Sequence, residues 1–488
     1  MDPETSTTPE MNFSILGSAA PVLAPRVGKL AIPGRQAIST PHFVPLTTRG
    51  AVSHIAHDVV RKETAINSLF IGLEDFIEKK HPAPLYKTPV APGESPLRRF
   101  ICAPDDMPMI LAPRRFPSIP CPPTNTETSV AILTSVGFRQ LTAHQYVEAI
   151  QKLQPDIAIG LADIVTAKPP GTRRREKMVD RTHAFTRDAL EQLYGSSVAE
   201  GKTSKAAYFA PVLPLENAQQ LLYLEDLENE FREHLSGLAL YESTSLSFIP
   251  ENIGHLPRLL LSEPVTPHEI LREVSLGADL MTIPLIGACS DAGIALDFVF
   301  PAPASTQERG EPQPLGIDLW PSKHAKDTSP FKKGCECYAC RHHHRAYLNH
   351  LLAAKEMTAW VLLQLHNHHI MDQFFAGIRD SIQQGTFDED VYAFNRAYDS
   401  ELPSQSGEGP RFVFLSLPSY LCPSNKGTIR LRGHYIAPRQ GTNHPKRMQK
   451  VYGRLDDLSE KFNESQSSVA TPDTDAEGLE RHGFAEKV

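Results

Sequence analysis

The strongest constraint this chain places on its own fold is a repeated unit. A short apolar run, broken by Gly, Pro or Asp, is followed by a stretch with apolar residues at helical spacing. "AILT" (Ala131–Thr134) precedes a predicted helix at about Thr142–Leu153, and "DIAIGLAD" (Asp156–Asp163) precedes one at about Lys177–Tyr194. "AAYFAPVL" (Ala206–Leu213) precedes Glu216–His234. "GLALYE" (Gly237–Glu242), "RLLLS" (Arg258–Ser262) and "LMTIPLIG" (Leu280–Gly287) continue the series, with a further helix at Thr266–Gly277. Apolar strands that alternate with helices imply a parallel sheet covered on both faces. This many units in one domain point to an α/β (β/α)8 TIM-like barrel, although periodicity alone also admits a doubly wound sheet.

Other stretches lack that pattern. Residues 1–27 are polar and acidic at the start and read as a flexible N-terminus, with neither a signal peptide nor an Arg-rich transit peptide. Residues 81–128 are rich in proline ("HPAPLYKTPVAPGESP", "SIPCPPTNTE") and read as a long irregular insertion. The extension 401–488 holds a basic segment, 426–454, with Tyr435 and Tyr452 interleaved. After it comes a polar, acidic tail expected to be disordered. The net charge of −8 argues against coating nucleic acid by bulk charge and leaves local basic patches open. No apolar run is long enough to span a bilayer, so the expectation is a soluble intracellular protein without integral membrane association.

Three of the seven cysteines, Cys335, Cys337 and Cys340, stand as C-x-C-x-x-C, which is no secreted disulfide framework. Such spacing lets thiolates converge on one tetrahedral ion from a short loop, and a fourth ligand is then required. The following segment, Arg345–Ile370, is apolar at helical spacing and ends among His366, His368 and His369. A helix folded back on the loop would bring one imidazole to the thiolates. A closed Cys3His set is the signature of one structural Zn²⁺, because catalytic zinc keeps a position for water. The run Arg341–His344 reads as exposed helix-start residues.

The full spacing, C-x-C-x2-C-x25-H followed by Asn, resembles the zinc site of tRNA-guanine transglycosylases, the queuine tRNA-ribosyltransferase family. "RAYLNHLLAAKEMTAWVLLQLHN" (Arg345–Asn367), "IRDSIQQGTF" (Ile378–Phe387) and the "TPHF" turn (Thr40–Phe43) resemble that family's flanking segments. The resemblance implies His366 as the fourth ligand. It also implies a barrel over 28–400 with a zinc subdomain, 331–390, inserted near its end.

That family exchanges a base in the tRNA anticodon loop with retention, which calls for a carboxylate nucleophile and a proton-handling partner. The nucleophile motif resembles G-x-D-[LM]-F-D-x-V-x-P-T-R-x-x-R-x-G. Here it reads "GADLMTIPLIGACSDAG" (Gly277–Gly293), aligned without a gap. Asp279 matches the earlier aspartate, Thr282 stands at the nucleophile's place, and Ala288 and Asp291 replace two arginines expected to meet RNA. Matching glycines at both ends argue against a slip that would recruit Asp291 or Asp297 instead. The base motif T-D-S-G-G-F-Q corresponds to "LTSVGFRQ" (Leu133–Gln140), where the aspartate is lost near Ser135. Asp163, Gly237 and Tyr241 fall near the family's base-recognition positions as a remnant pocket, with Tyr241 in a glycine's place.

The pattern is therefore kept where it shapes the fold and lost where it performs the reaction. The basic run in "GTRRREKMVDRTHAF" (Gly171–Phe185) also resembles the family's accessory branch. The resemblance implies a non-catalytic partner of a catalytic queuine tRNA-ribosyltransferase subunit, paired through the zinc subdomain, with a homodimer as the state when alone. It further implies a cytoplasmic complex that visits the mitochondrial outer membrane. The candidate tRNA contacts are Arg173, Arg174, Arg175, Arg430, Arg432, Lys446 and Arg447. Two other readings compete: an active transglycosylase with a displaced carboxylate, and a zinc-dependent RNA-binding module unrelated to base exchange.

Overall fold

The computed structural model describes residues 11–17, 23–78, 83–91, 93–122, 124–165, 169–195, 204–303 and 311–410. Arg430, Arg432, Lys446, Arg447 and the tail lie outside the described residues, as do most of the extension and the first ten residues.

Eight parallel strands form the barrel: β1 (His42–Val44), β2 (Leu69–Gly72), β3 (Met109–Ala112), β4 (Ile157–Ile159), β5 (Ala207–Val212), β6 (Gly237–Leu240), β7 (Arg258–Leu260) and β8 (Leu280–Thr282). They pair in chain order from β2 to β8, and β8 returns to β1. A parallel bridge between Leu46 and Phe70 brings β1 to β2 and completes the ring. Alternation along each strand separates two cores. Val44, Phe70, Ile110, Ile157, Ile159, Phe209, Leu259 and Leu280 fill the interior, whereas Ala158, Tyr208 and Ala210 join the layer packed against the helices.

Helices cover the outside where the periodicity placed them. Thr142 caps Ala143–Leu153 through a reciprocal bond with Gln145, and Thr266 caps Pro267–Ser275. The helix after β4 starts earlier than its apolar pattern does, at Thr172, because its first turns are basic and carry no core stripe. The helix after β5 is Asn217–Asn229, followed by a 3-10 turn at Arg232–His234.

Three expectations need correction. "AILT" is not a barrel strand: Ser129–Thr134 pairs antiparallel with Gly137–Thr142 as a hairpin. The barrel's third strand lies inside the supposedly irregular 81–128 stretch. There "MILA" is fully buried between Pro108 and Pro113, and Ser95 caps a helix at Pro96–Ile101. Prolines at a strand's ends remove no ladder donor from its middle, so they hid the strand without breaking it. Within 1–27, Asn12–Leu16 forms a strand paired with Val27–Ala31, which in turn pairs with Ile38–Thr40. Leu30 and Ile38 of this small sheet close the core of the barrel.

The long helix Met357–Gln384 packs on Leu285–Ala292, β1 and Val27–Ala31. It joins the zinc-motif subdomain to the barrel wall. Among the described residues, no helix is long and apolar enough to cross a membrane.

Candidate functional site: metal centre and barrel mouth

The cysteine motif sits at the start of a short helix, Tyr338–His342, whose N-cap is Cys337. Its sulfur accepts a hydrogen bond from the Cys340 amide at 3.3 Å. Facing the loop, His366 Nδ1 lies 3.8 Å from Cys335 Sγ, 3.5 Å from Cys337 Sγ and 3.4 Å from Cys340 Sγ. All four ligand atoms fall within 4.8 Å of one another. A tetrahedral zinc site has sulfur and nitrogen about 3.5 Å apart, given its usual bond lengths. The set could therefore hold a metal ion and is consistent with zinc.

The surroundings also suit a ligand set. His366 is fully buried and donates Nε2–H to the Leu296 carbonyl at 2.9 Å, which leaves Nδ1 as the lone-pair face toward the thiols. Asn367 donates to Ser290 Oγ and to the Ile294 carbonyl, and accepts from the Leu296 amide. The histidine and asparagine thus pin their helix to the strand Ile294–Leu296. Mutual hydrogen bonds among the thiols pull Cys335 down and push Cys337 up. His368 is buried elsewhere, against Phe43, where burial lowers it to about 3. His344 caps the helix Arg345–Ala354, accepting from the Tyr347 amide at 3.1 Å. Outside the knot, Tyr338 meets His342 at 4.8 Å and His343 stacks on Tyr347 at 5.2 Å, forming a ring patch.

The barrel mouth is closed by its own charges. Thr282 ends β8, fully buried, and its hydroxyl donates to the Ser262 carbonyl at 3.1 Å. Asp163 is also fully buried. It accepts from Asn125 at 2.5 Å, from both terminal nitrogens of Arg174 at 2.5 and 2.6 Å, and from Arg181 at 3.0 Å. Burial works against its charge, but bonds from Arg174, Asn125 and Arg181 outweigh it and hold the carboxyl below its ordinary range. Arg115 bridges Glu74 and Asp75 and donates to Leu133 of the hairpin. Arg114 reaches the Ala131 and Ile164 carbonyls. Tyr241 is half-buried, and burial pushes its phenol up to about 12. The cavity among Phe70, Arg114, Phe116, Leu161, Tyr241 and Leu261 measures about 20 Å³, room for a water.

The remaining sequence candidates are scattered. Ser135 is exposed at the hairpin tip. Gly237 begins β6, at the end opposite the mouth, where a Cβ would overlap the Phe209 ring, so it serves packing and not a base pocket. Asp291 pairs with His54 at 2.8 Å, and Asp297 with Lys332 at 3.3 Å. Arg174 is committed to Asp163, Arg175 donates to Pro170, and Arg173 is exposed. Asp279 takes a bidentate Arg26 at 2.8 and 2.5 Å and the Arg258 amide at 2.8 Å. It stands at the N-terminal end of the strands, where retained polar residues serve stability. Asn125, Arg181, Glu74 and Arg115 carry no spacing that would have marked them in the sequence. They meet only once the loops after β2, β3 and β4 converge.

A family model described as queuine tRNA-ribosyltransferase matches residues 23–400. Similar proteins include the queuine tRNA-ribosyltransferase accessory subunit 2 of Schizosaccharomyces pombe, 36% identical over 374 residues. That match covers 77% of this chain and 82% of the relative. The protein of the same description from Gallus gallus is 26% identical over 404 residues, covering 75% and 93%.

Proposed function

The chain belongs to the queuine tRNA-ribosyltransferase family, and we propose that it is the non-catalytic subunit of a heterodimer that exchanges guanine for queuine at the anticodon wobble position of tRNA. The observation that carries this reading is Thr282. The nucleophile's place holds a hydroxyl that is sealed from solvent and spent on a backbone carbonyl. Asp163, the carboxylate the family pattern offers for base recognition, is neutralised by two arginines. A transferase of this type needs an ionised carboxylate at the ribose and room for the base.

In this reading one Zn²⁺ sits among Cys335, Cys337, Cys340 and His366, and its role is structural. Four protein ligands leave no position for water, so the ion sets the shape of the loop and activates nothing. The knot presents the Tyr338–Tyr347 ring patch, which is the surface proposed to meet the catalytic subunit, or a second copy when the chain is alone. Arg173 and the segment 426–454 are the proposed phosphate contacts. The complex is cytoplasmic and peripheral at the mitochondrial outer membrane.

The test is reconstitution with a catalytic homologue. Base exchange on unmodified tRNA should require that partner, and the present chain should be inert alone. A second reading, activity from a displaced carboxylate, has one candidate. Glu263 follows Ser262 at the end of β7, and burial pushes it up to about 7. If Glu263→Gln abolishes an activity that the isolated chain possesses, that second reading replaces the first.

A further inference from the structure

The last described residues are tied down by specific contacts. Leu402 is buried in the main core, and residues 402–410 form a strap that reaches both the zinc-motif subdomain and the barrel's last helix. At its centre lies the Trp320 indole, which donates Nε1–H to the Ala292 carbonyl at 3.0 Å. A Cβ added to Gly407 would overlap this ring, and so would one added to Gly293. Gly293 also ends its helix at φ +80°. Gly407 has no left-handed φ, so close approach to the ring is what requires a glycine there.

Polar bonds hold the strap on either side of that ring. Asp318 Oδ1 accepts from the Trp320 amide at 3.0 Å, and its Oδ2 accepts from the Ser406 amide at 3.2 Å and from the Ser406 hydroxyl. One carboxylate thus ties the backbone of Trp320 to the strap. Lys355, at the corner between the helices Arg345–Ala354 and Met357–Gln384, pairs with Glu408 at 2.5 Å. Gly409 lies beside the Asp291 carbonyl of the helix Leu285–Ala292.

The strap's seat is built from the same pieces as the metal centre. Gly316–Asp318 pairs antiparallel with Ile294–Leu296, and Asp318 stands opposite Ile294. The Leu296 carbonyl accepts from His366 Nε2 at 2.9 Å, while Asn367 bonds the Ile294 carbonyl and the Leu296 amide. Trp320 and Cys335 pack against the small core that contains Cys337, Cys340, Phe331 and Trp360. Two contiguous routes therefore join the strap to the ligands. One runs through the strand pair to His366, the other through the indole to the cysteines.

We propose that docking of the strap Leu402–Pro410 is energetically coupled to metal binding at Cys335, Cys337, Cys340 and His366. The docked strap holds the strand pair and the indole in the arrangement that aims His366 Nδ1 at the thiols. Once the strap lifts, the same four residues bind the ion more weakly. Linkage makes the effect reciprocal, so the metal-free chain releases its strap more often. The inference rests on the reading that this ligand set holds zinc.

The experiment uses the full chain and two readouts. Zinc affinity is measured by competition with a chelator, and strap docking by hydrogen exchange of the Ser406 amide. Gly407→Val drives a side chain into the indole, and Ser406→Asp sets a second carboxylate against Asp318. The two variants lift the strap by different forces, and each should weaken zinc binding about fivefold or more. Arg174→Ala, which loosens the barrel mouth without touching the strap, should keep wild-type zinc affinity. Removing zinc from the wild type should in turn lower the protection of the Ser406 amide by a comparable factor. Wild-type zinc affinity in both strap variants would overturn the coupling, and so would unchanged protection of Ser406 in the metal-free chain. An equal loss of affinity in Arg174→Ala would reduce the effect to global stability and overturn it as well. A wild-type chain that binds no zinc would overturn the zinc reading itself, and the coupling with it.

Discussion

The Thr282 hydroxyl donates to the carbonyl oxygen of Ser262 at 3.1 Å, tying the fully buried end of β8 to the segment just after β7. In the proposed reading, the residue at the nucleophile's place has become part of the barrel's wall. Restoring the carboxylate alone should not restore chemistry. Thr282→Asp places an unpaired charge in a sealed site, so it should cost about 3–5 kcal/mol of stability and give no base exchange. Thr282→Val should cost only about 1 kcal/mol, the loss of one hydrogen bond. Urea unfolding followed by an exchange assay measures both.

The metal centre should behave as a structural clamp. Cys337→Ser should abolish stoichiometric zinc, lower the melting temperature and weaken association with the catalytic partner. Cys121→Ser should do none of these, because Cys121 lies in the loop after β3 and outside the ligand set. Elemental analysis, thermal unfolding and sedimentation of the mixed subunits separate the outcomes. Chelation of the wild type should reproduce the Cys337→Ser phenotype, since binding energy at such a site is folding energy.

Arg174 should matter to the body of the protein. Its guanidinium forms two of the bonds that keep Asp163 ionised in the interior. Arg174→Ala leaves that carboxylate with Arg181 and Asn125 alone and should cost about 2–4 kcal/mol. Arg173→Ala, at an exposed position one residue earlier, should leave stability within about 0.5 kcal/mol of wild type. A double-mutant cycle of Arg174→Ala with Asp163→Asn, read by urea unfolding, should return a coupling comparable to the single loss.

Buried carboxyls and a buried histidine should make stability depend on pH with opposite signs below neutrality. Burial pushes Glu273 up to about 7 and Asp372 up to about 7, from ordinary values of 4.5 and 3.8. Carboxyls raised in the folded state contribute fully below their unfolded values and lose that contribution as pH rises through about 7. His42 is lowered from 6.5 to about 3 by burial, with Arg379 adding to it. A lowered histidine contributes fully above about 6.5 and loses its contribution as pH falls toward about 3. Read by melting temperature, the carboxyl part of the stability should therefore fall between about pH 4 and 7 and level off above about 7, while the histidine part rises over about pH 3 to 6.5. Glu273→Gln should remove its part of that slope, up to about 1.4 kcal/mol per pH unit.

The sequence made most of the barrel legible, because strands buried on both faces read as continuous apolar runs. β3 escaped because its four residues sit between prolines in a stretch dominated by prolines. The hairpin Ser129–Thr142 looked like a barrel strand because one of its arms, "AILT", is as apolar as the true ones. The ligand set was legible because three thiols and a histidine at fixed spacing have few other uses. Pairs such as Asp163 with Arg174, or Asp279 with Arg26, were not, since nothing local ties residues so far apart. The exposed-looking basic run Arg173–Arg175 hid one arginine that turns inward. Its direction depends on where Asp163 ends up, a tertiary fact with no sequence period.

The most direct test of the account is incorporation of labelled guanine into unmodified tRNA, measured with the purified chain alone, with a catalytic homologue alone, and with both. The account predicts no incorporation by this chain alone and robust incorporation by the pair. It also predicts that the pair's rate survives Glu263→Gln in this chain and vanishes when the homologue's nucleophile is removed. Incorporation by this chain in the absence of any partner would contradict it.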